Sequence, residues 1–219
     1  MPDNYVDLVK TSLFTGISQK EIPSLLKCMQ AKCVNYNKGE FIIDKDSYVY
    51  DFGVMLSGNG RVIIWDESDR IVIITLLSKG SEIGVLLAAS KDSKSPVFVQ
   101  ALDNASVLMI PYENVFNRCK ENCRSHEFLL RNFINAVAAK GLLLHERIDC
   151  LIRPTVRGKI LAFLQRLSHE QQNSLVIVPF NRNTMAEYLN IERSSLSREL
   201  SNMKHDGVLD YHRNSFRLL

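Results

Sequence analysis

Residues 182–204 read RNTMAEYLNIERSSLSRELSNMK. Two short helical patterns flank a break at Asn190-Ile191. Asn181 suits the N-cap of the first, TMAEYL, with Arg182 in its first turn. Ala186 is small where a second helix has to cross closely, and Asn190 accepts the left-handed backbone of a tight turn. Ile191 plugs that turn. The second pattern, RSSLSRELSNMKHDG, sets Leu196, Leu200 and Met203 on one face and leaves Arg193, Ser194, Ser197 and Arg198 on others. Gly207 follows as a C′ residue. This is the helix-turn-helix pattern, whose second helix enters the DNA major groove with its N-terminal side chains towards the base edges. Arg reads guanine through two hydrogen bonds, and hydroxyls bond bases or phosphates. A polar surface on an ordinary helical hairpin fits the same residues, so the flanking chain decides.

Downstream, GVLDYHRNSFRLL (207–219) predicts a β-hairpin turning at Arg213-Asn214-Ser215. Upstream, TVRGKILAFLQRLSHEQQ (155–172) predicts a helix capped by Thr155, followed by a strand in SLVIVPF (174–180). Charge gathers in the same third of the chain. Residues 153–219 hold ten Lys/Arg and six Asp/Glu, a balance of +4, against seventeen and eighteen, or −1, in residues 1–152. A basic C-terminal part beside a helix-turn-helix points to nucleic acid.

Further upstream, SHEFLLRNFINAVAAKGLLLHERIDCLI (125–152) predicts one long helix opening on Ser125 as N-cap, preceded by a short helix in YENVFNRCKEN (112–122). Leu130, Ile134, Val137, Gly141, Leu144, Ile148 and Leu151 are spaced 4-3-4-3-4-3, an a/d heptad seam. The pattern predicts self-association of two chains, the alternative being a helix packed on its own domain. Leu129, Phe133 and Leu143 form a second apolar face, so one helix can cover a domain and still meet a partner. Gly141 costs the helix about 1 kcal/mol relative to Ala. It permits close approach of two backbones, or marks a bend. Arg153-Pro154 ends the pattern, because Pro disfavours helix in the residue before it.

From Lys32 to Pro111 the texture is short runs rich in Val and Ile, punctuated by glycines. EFIID (40–44), DFGVMLS (51–57), PVFVQAL (96–102) and SVLMIP (106–111) predict strands; GRVIIWD (60–66) and RIVIITLL (70–77) predict a hairpin across ESD. Short strands with regular turn signals predict an antiparallel sandwich or barrel.

Composition narrows the function classes. The chain has 219 residues, 46% of them hydrophobic and 23% charged, as in globular domains. No run of eighteen apolar residues predicts a membrane span, and MPDNYVDLVK lacks the apolar core of a secretory signal. The expectation is a cytoplasmic protein. Five cysteines (Cys28, Cys33, Cys119, Cys123, Cys150) are an odd count that argues against a disulfide framework. Cys119 and Cys123, four apart on a helical pattern, could form a redox pair or half of a metal site, or be incidental thiols. An enzyme on a cupin-like roll would need imidazole ligands from its strands, and no His precedes His126. With no nucleophile–base arrangement or phosphate loop, the expectation is no enzyme. A structural adaptor using the roll for protein contacts is the third class, disfavoured by the basic C-terminal part.

From about Leu13 to the C-terminus, the chain resembles the CRP/FNR family of bacterial transcription regulators. The resemblance is carried by KGEFIIDKD (38–46), GVMLSGNGRVIIW (53–65), EIGVLLA (82–88), SPVFVQALDNASVLMIP (95–111) and, most specifically, NRNTMAEYLNIERSSLSREL (181–200). It implies an α+β fold: an N-terminal antiparallel β-roll of jelly-roll type with preceding helices (1–111), a helical segment with the long dimerisation helix (112–152) and a winged helix-turn-helix domain (153–219). It also implies a homodimer on palindromic promoter DNA, with RNA polymerase as a partner if the protein activates. By the same resemblance Arg182 falls at a phosphate-contacting position and Arg193, Ser194 and Arg198 at base-reading ones. Asn181, Ser195 and Ser197 join the DNA-facing set. The family commonly has Glu where Ser194 stands, so its half-site preference does not carry over.

The family's β-roll holds the signal. Its nucleotide-binding branch has Gly-Glu-Leu and, about ten residues later, Arg-Ser around the cyclic phosphate. This chain keeps Gly84 but has Val85 for the acidic residue and Ser95-Pro96 for Arg-Ser, with Lys94 just upstream. Pro also removes a backbone donor, so the departures argue against cyclic AMP. Cys28 and Cys33 have the wrong number and spacing for the four-cysteine iron-sulfur branch. The roll supplies no His as an axial haem ligand, and Pro2 alone is thin support for haem. The expectation is a pocket between roll and dimer helix, formed by Gly84, Val85, Leu86, Leu87, Lys94, Ser95, Val97, Leu144 and His145. Apolar Leu144 fits a hydrophobic effector; no ligand, or an oxidant, is the alternative.

Overall fold

In the computed structural model, which describes residues 6–116 and 124–219, the chain divides into two compact units. Residues up to 64 and 75–142 form the first; residues 65–74 and 143–219 form the second.

In chain order, the elements of the first unit, with β4, β5 and α5 running on into the second, open with α1 (Val6–Val9), a 3₁₀ turn (Ser12–Phe14) and α2 (Ile22–Cys28). Strands β1 (Lys32–Tyr36), β2 (Phe41–Ile43), β3 (Asp51–Ser57), β4 (Gly60–Trp65), β5 (Ile71–Leu77) and β6 (Glu82–Ile83) follow. Then come α3 (Val85–Ala88), β7 (Phe98–Ala101), β8 (Ala105–Pro111), α4 (Tyr112–Phe116) and the long α5 (Arg124–Leu151). The strands make two antiparallel four-stranded sheets, ordered β1-β8-β3-β6 and β2-β7-β4-β5. The six strands expected from sequence are all present. The sequence pattern does not single out β1 and β6, whose pairing with β8 and β3 is a tertiary choice.

The first sheet is buried on both faces, and β8 shows how. Val107 and Met109 turn towards the core between the sheets, with Ile43, Met55, Leu77 and Val99. Leu108 and Ile110 turn the other way, towards Leu13, Phe14, Leu26, Phe52 and Val54. This period of two explains why β3 and β8 are apolar at nearly every position. Gly53 on β3 is required by close approach, since a Cβ there would lie 2.7 Å from the Leu108 carbonyl oxygen and 2.8 Å from Met109 Sδ.

Helix α5 closes the outer core with Leu129, Phe133 and Ala136, and Phe133 packs 4.7 Å, centroid to centroid, from Phe52. The two-faced reading of this helix fits its burial, because Ile134 and Ile148 stay 57% and 54% exposed in the single chain. Leu130, Val137, Gly141, Leu144 and Leu151 are half-buried. Two of its polar residues anchor the N-terminal segment. Asn132 Nδ2 donates to the carbonyls of Leu13 (3.0 Å) and Thr15 (2.8 Å). Ser125 is no N-cap: it lies inside the helix, buried, and its hydroxyl donates to Glu21 Oε1 at 2.8 Å. The short helix expected over 112–122 is represented by α4, and its remainder, with Cys119 and Cys123, lies outside the described residues.

The second unit carries α6 (Val156–Gln171), β9 (Leu175–Ile177), α7 (Arg182–Leu189), α8 (Arg193–His205), β10 (Leu209–His212) and β11 (Ser215–Leu218). Its strands form one antiparallel sheet in the order β10-β11-β9. Ser215 belongs to β11, so the hairpin turns on Arg213 and Asn214 alone, Arg213 at positive φ. Thr155 caps α6 by accepting from the Gly158 amide at 3.0 Å, as its sequence position predicts. All three helices end in the same way, on a left-handed residue (Gln172, Asn190, Gly207). In each, the following amide reaches back five residues: Asn173 to Ser168, Ile191 to Ala186, Val208 to Met203. These are Schellman motifs. Inside, Ile160, Phe163, Leu164, Val176, Leu189, Leu196, Leu200, Met203 and Phe216 are buried.

Candidate nucleic-acid interface

Helix α7 begins where sequence placed it. Asn181 Oδ1 accepts from the amides of Asn183 (2.9 Å) and Thr184 (3.0 Å), satisfying two of the first-turn donors. Asn190 then takes φ 48° and ψ 59°, and the chain turns into α8. The N-cap of α8 is Glu192, whose side chain caps nothing; it pairs instead with Arg70 Nη1 at 3.0 Å. Helix α8 therefore starts with no side-chain acceptor on its first amides, an arrangement that favours an approaching anion.

Burial on α8 is one-sided. Leu196, Leu200 and Met203 are at most 1% exposed, whereas Arg193, Ser194 and Arg198 stand in solvent and Ser195 and Ser197 are half-buried. Arg193 is held at two points. Its Nε donates to Asn183 Oδ1 on α7 at 3.1 Å, and its Nη1 donates to Ser197 Oγ one turn along α8.

Arg182 does different work. Its Nη2 donates to the Arg213 carbonyl at 2.6 Å, and its guanidinium lies 4.4 Å from the Phe216 ring centroid and 5.1 Å from that of Tyr211. It ties the first helix to the wing formed by β10 and β11, and the accompanying burial lowers its pKa. On the far side of α8, Arg157 bridges Glu199 (2.5 Å) and Asp206 (2.7 Å), fixing α6 to it. Lys204 is engaged by Asp210 at 2.6 Å. Arg193 and Arg198 on α8 are exposed, as are Arg213 and Arg217 on the wing.

A further arginine escaped the sequence reading. Arg147 is 4% exposed, donates through Nη2 to the carbonyls of Ile73 (2.9 Å) and Tyr188, and lies 3.9 Å over the Tyr188 ring. Burial pulls its pKa down, and its Nε and Nη1 lack acceptors among the described residues. Only the fold brings these carbonyls to the helix, so an Arg in an α5 pattern gives no warning of it.

The expected effector residues are placed as follows. Gly84 sits at φ 73° before α3, and Val85 is buried in the outer core. Leu86 and Val97 are half-buried, and Leu87 packs against the core between the sheets. Lys94 pairs with Asp46 at 3.3 Å. Ser95 is buried, donates to the Val97 carbonyl at 2.7 Å and accepts from the Val97 amide. Leu144 and His145 belong to the second unit, half-buried and exposed. A cleft of about 740 Å³ in the first unit lies elsewhere, lined by Leu8, Thr11, Ser12, Met55, Lys79 and Glu82 among others. Burial alone would raise the pKa of Glu82, but the Ser12 hydroxyl and Lys140 Nζ (2.9 Å) outweigh it and hold the carboxyl below its ordinary value. Among the described residues no three His, Cys, Asp or Glu are grouped to hold a metal, and no helix is long and apolar enough to cross a membrane.

Comparison with known proteins matches two stretches. Residues 158–219 match the Crp-like helix-turn-helix domain, and residues 33–122 match the cyclic nucleotide-binding domain. No curated protein sequence matches the chain. Among solved structures, a CooA mutant from Carboxydothermus hydrogenoformans superposes with a TM-score of 0.71 at 18% identity, over 100% of this chain and 92% of that one. FixK2 from Bradyrhizobium japonicum gives 0.64 at 17% identity, over 86% and 92%. The catabolite activator protein of Thermus thermophilus gives 0.54 at 16% identity, over 95% and 94%. At such identities these likenesses establish the fold.

Proposed function

We propose, for a chain that belongs to the CRP/FNR family of DNA-binding transcription regulators, that it acts in the cytoplasm as a homodimer on palindromic promoter DNA. The observation that carries this reading is the one-sided burial of α8. Its apolar face is spent on the domain core, and its open face offers Arg193, Ser194 and Arg198 beside a wing with two more exposed arginines. Arg193, Ser194 and Arg198 read base edges; Asn181, Arg182, Ser195 and Ser197 border the phosphates. Asn181 serves chiefly by capping α7, and Arg182 by tying down the wing.

Dimerisation uses the seam of α5 from Leu130 to Leu151, with Ile134 and Ile148 as its exposed anchors. Two recognition helices then meet half-sites about one helical turn, ~34 Å, apart. The working division is a sensing roll (1–111), a helical relay (112–152) and a DNA-binding domain (153–219), which contacts RNA polymerase if the protein activates. The effector is a small apolar molecule other than cyclic AMP. Val85 in the outer core, and a Ser95 hydroxyl engaged by Val97, support that choice, because neither is free to meet a cyclic phosphate.

The test is binding to duplex DNA over a range of salt. A wild-type protein making several phosphate contacts loses affinity steeply as salt rises, with a log–log slope of about −0.9 per phosphate. The Arg193→Ala, Arg198→Ala double variant is expected to lose sequence-specific binding by about 100-fold or more, each good bidentate pair being worth about 1–3 kcal/mol. Specific binding unchanged in that variant would end the proposed readout. For the effector, stabilisation by cyclic AMP with an accompanying change in DNA affinity would reverse the proposal.

A further inference from the structure

Arg193 is the first residue of the recognition helix, a place where a long side chain ordinarily samples many rotamers. In this protein two acceptors from two different helices constrain it. Asn183 Oδ1, on α7, takes the Nε hydrogen at 3.1 Å; Ser197 Oγ, four residues along α8, takes one Nη1 hydrogen. A guanidinium has five N–H donors. Three stay without a partner among the described residues: one on Nη1 and both on Nη2. With Nε committed, a fork spanning two nitrogens has to use Nη1 and Nη2. That is the end-on pair, suited to O6 and N7 of guanine.

Both acceptors are neutral, which matters for the electrostatics. A carboxylate in either place would hold the guanidinium more tightly but would cancel its charge towards DNA. An amide oxygen and a hydroxyl fix the plane and leave the cation intact. Asn183 is itself placed by the capped first turn of α7, because its amide is one of the two that Asn181 satisfies. The local order Asn181, Asn183, Arg193, Ser197 therefore runs from a helix cap to a base-reading tip.

Resting on the DNA-binding reading above, we propose that Asn183 and Ser197 are positioning residues that hold Arg193 for end-on recognition of guanine. This changes the role of Ser197 from a phosphate contact to a support for its neighbour on the helix. Holding a side chain in its bound geometry before binding lowers the ordering cost at the interface. It also penalises a wrong base, because the fork cannot swing to another acceptor.

The experiment starts from the wild-type, full-length protein and a random duplex library, from which a preferred site is selected. Affinities are then measured for that site and for each single base-pair change in one half-site. Arg193→Ala identifies the position that Arg193 reads, and Arg198→Ala identifies a second as internal reference. Ser197→Ala and Asn183→Ala are expected to lower discrimination by about tenfold at the Arg193 position, with discrimination at the Arg198 position kept. Ser197→Thr, which retains the hydroxyl, is expected to preserve both.

Equal loss at every base pair in Ser197→Ala would make Ser197 a phosphate contact and overturn the proposal. So would discrimination unchanged in both variants. Tighter binding by the variants would also overturn it, showing a parked arginine that DNA must release. If the wild-type protein enriches no sequence, the regulator reading itself fails before any variant is compared.

Discussion

Helices α5 and α8 each bury one face and leave another open, and the open faces differ in kind. On α8 the buried residues are Leu196, Leu200 and Met203, and the open face is cationic and hydroxylated. On α5 the buried residues are Leu129, Phe133 and Ala136, yet Ile134, Leu142 and Ile148 are more than half exposed on the remainder. A polar open face is stable in water and becomes informative only through its residue types. An apolar one costs solvation at once and calls for a cover. The chemistry left over after folding thus differs between the two helices, and it underlies the two partners proposed above: nucleic acid for one, a second copy of the chain for the other.

The sharpest way to break this comparison is to poison each open face separately. Ile134→Asp with Ile148→Asp would bury carboxylates in the proposed seam while touching little of the single chain's own core. The expected result in sedimentation is a species of one chain, 25.0 kDa, with affinity for a two-half-site operator reduced by about 100-fold or more, because linkage of the half-sites is lost. The Arg193→Ala, Arg198→Ala variant should do the converse, abolishing readout in a protein that remains dimeric. An aspartate variant that stays dimeric would remove α5 as the interface.

A smaller effect is expected at the polar edge of α5, where Lys140 meets Glu82. The folded carboxyl lies below its ordinary 4.5, so its contribution to stability is present above that value. It is lost as pH falls through the lowered folded value. Glu82→Gln should therefore be less stable than wild type near neutrality, and the deficit should shrink on acidification. Urea unfolding at several pH values checks this; a deficit independent of pH would mean lost packing, not lost charge.

The smallest expected effect is at Gly141, where an added Cβ meets nothing within 4 Å in the single chain. Gly141→Ala should stabilise the helix by about 1 kcal/mol if that side stays open. If two α5 backbones cross there, the methyl group should weaken the dimer instead. Thermal unfolding at two protein concentrations separates the cases.

What could be read from sequence was what short-range physics decides. The apolar runs of β3 and β8, the caps Thr155 and Asn181, and the left-handed turn at Asn190 all follow from residues within a few positions of one another. So does the helix-turn-helix pattern itself, which the match over residues 158–219 bears out. What could not be read depends on the fold bringing distant groups together. Ser125 looked like a cap, but its hydroxyl answers a carboxylate 104 residues away at Glu21. Asn183 carried no signal of its own, because its partner Arg193 lies across a turn on another helix. Arg147 had none either, since its acceptors are backbone carbonyls, which have no sequence identity.

The helix ends of the second unit have a consequence for how this protein can change over generations. Three helices finish on a left-handed residue, and only at Gly207 is that residue a glycine. Gln172 holds a full side chain in a conformation that L-residues adopt with strain. A single substitution at that helix end would relax the backbone without touching Arg193, Ser194 or Arg198. The domain therefore has latitude to tolerate a destabilising change on the open face of α8 by relaxing a helix end on another element. Evolvability of the recognition helix is in this sense stored at the end of α6.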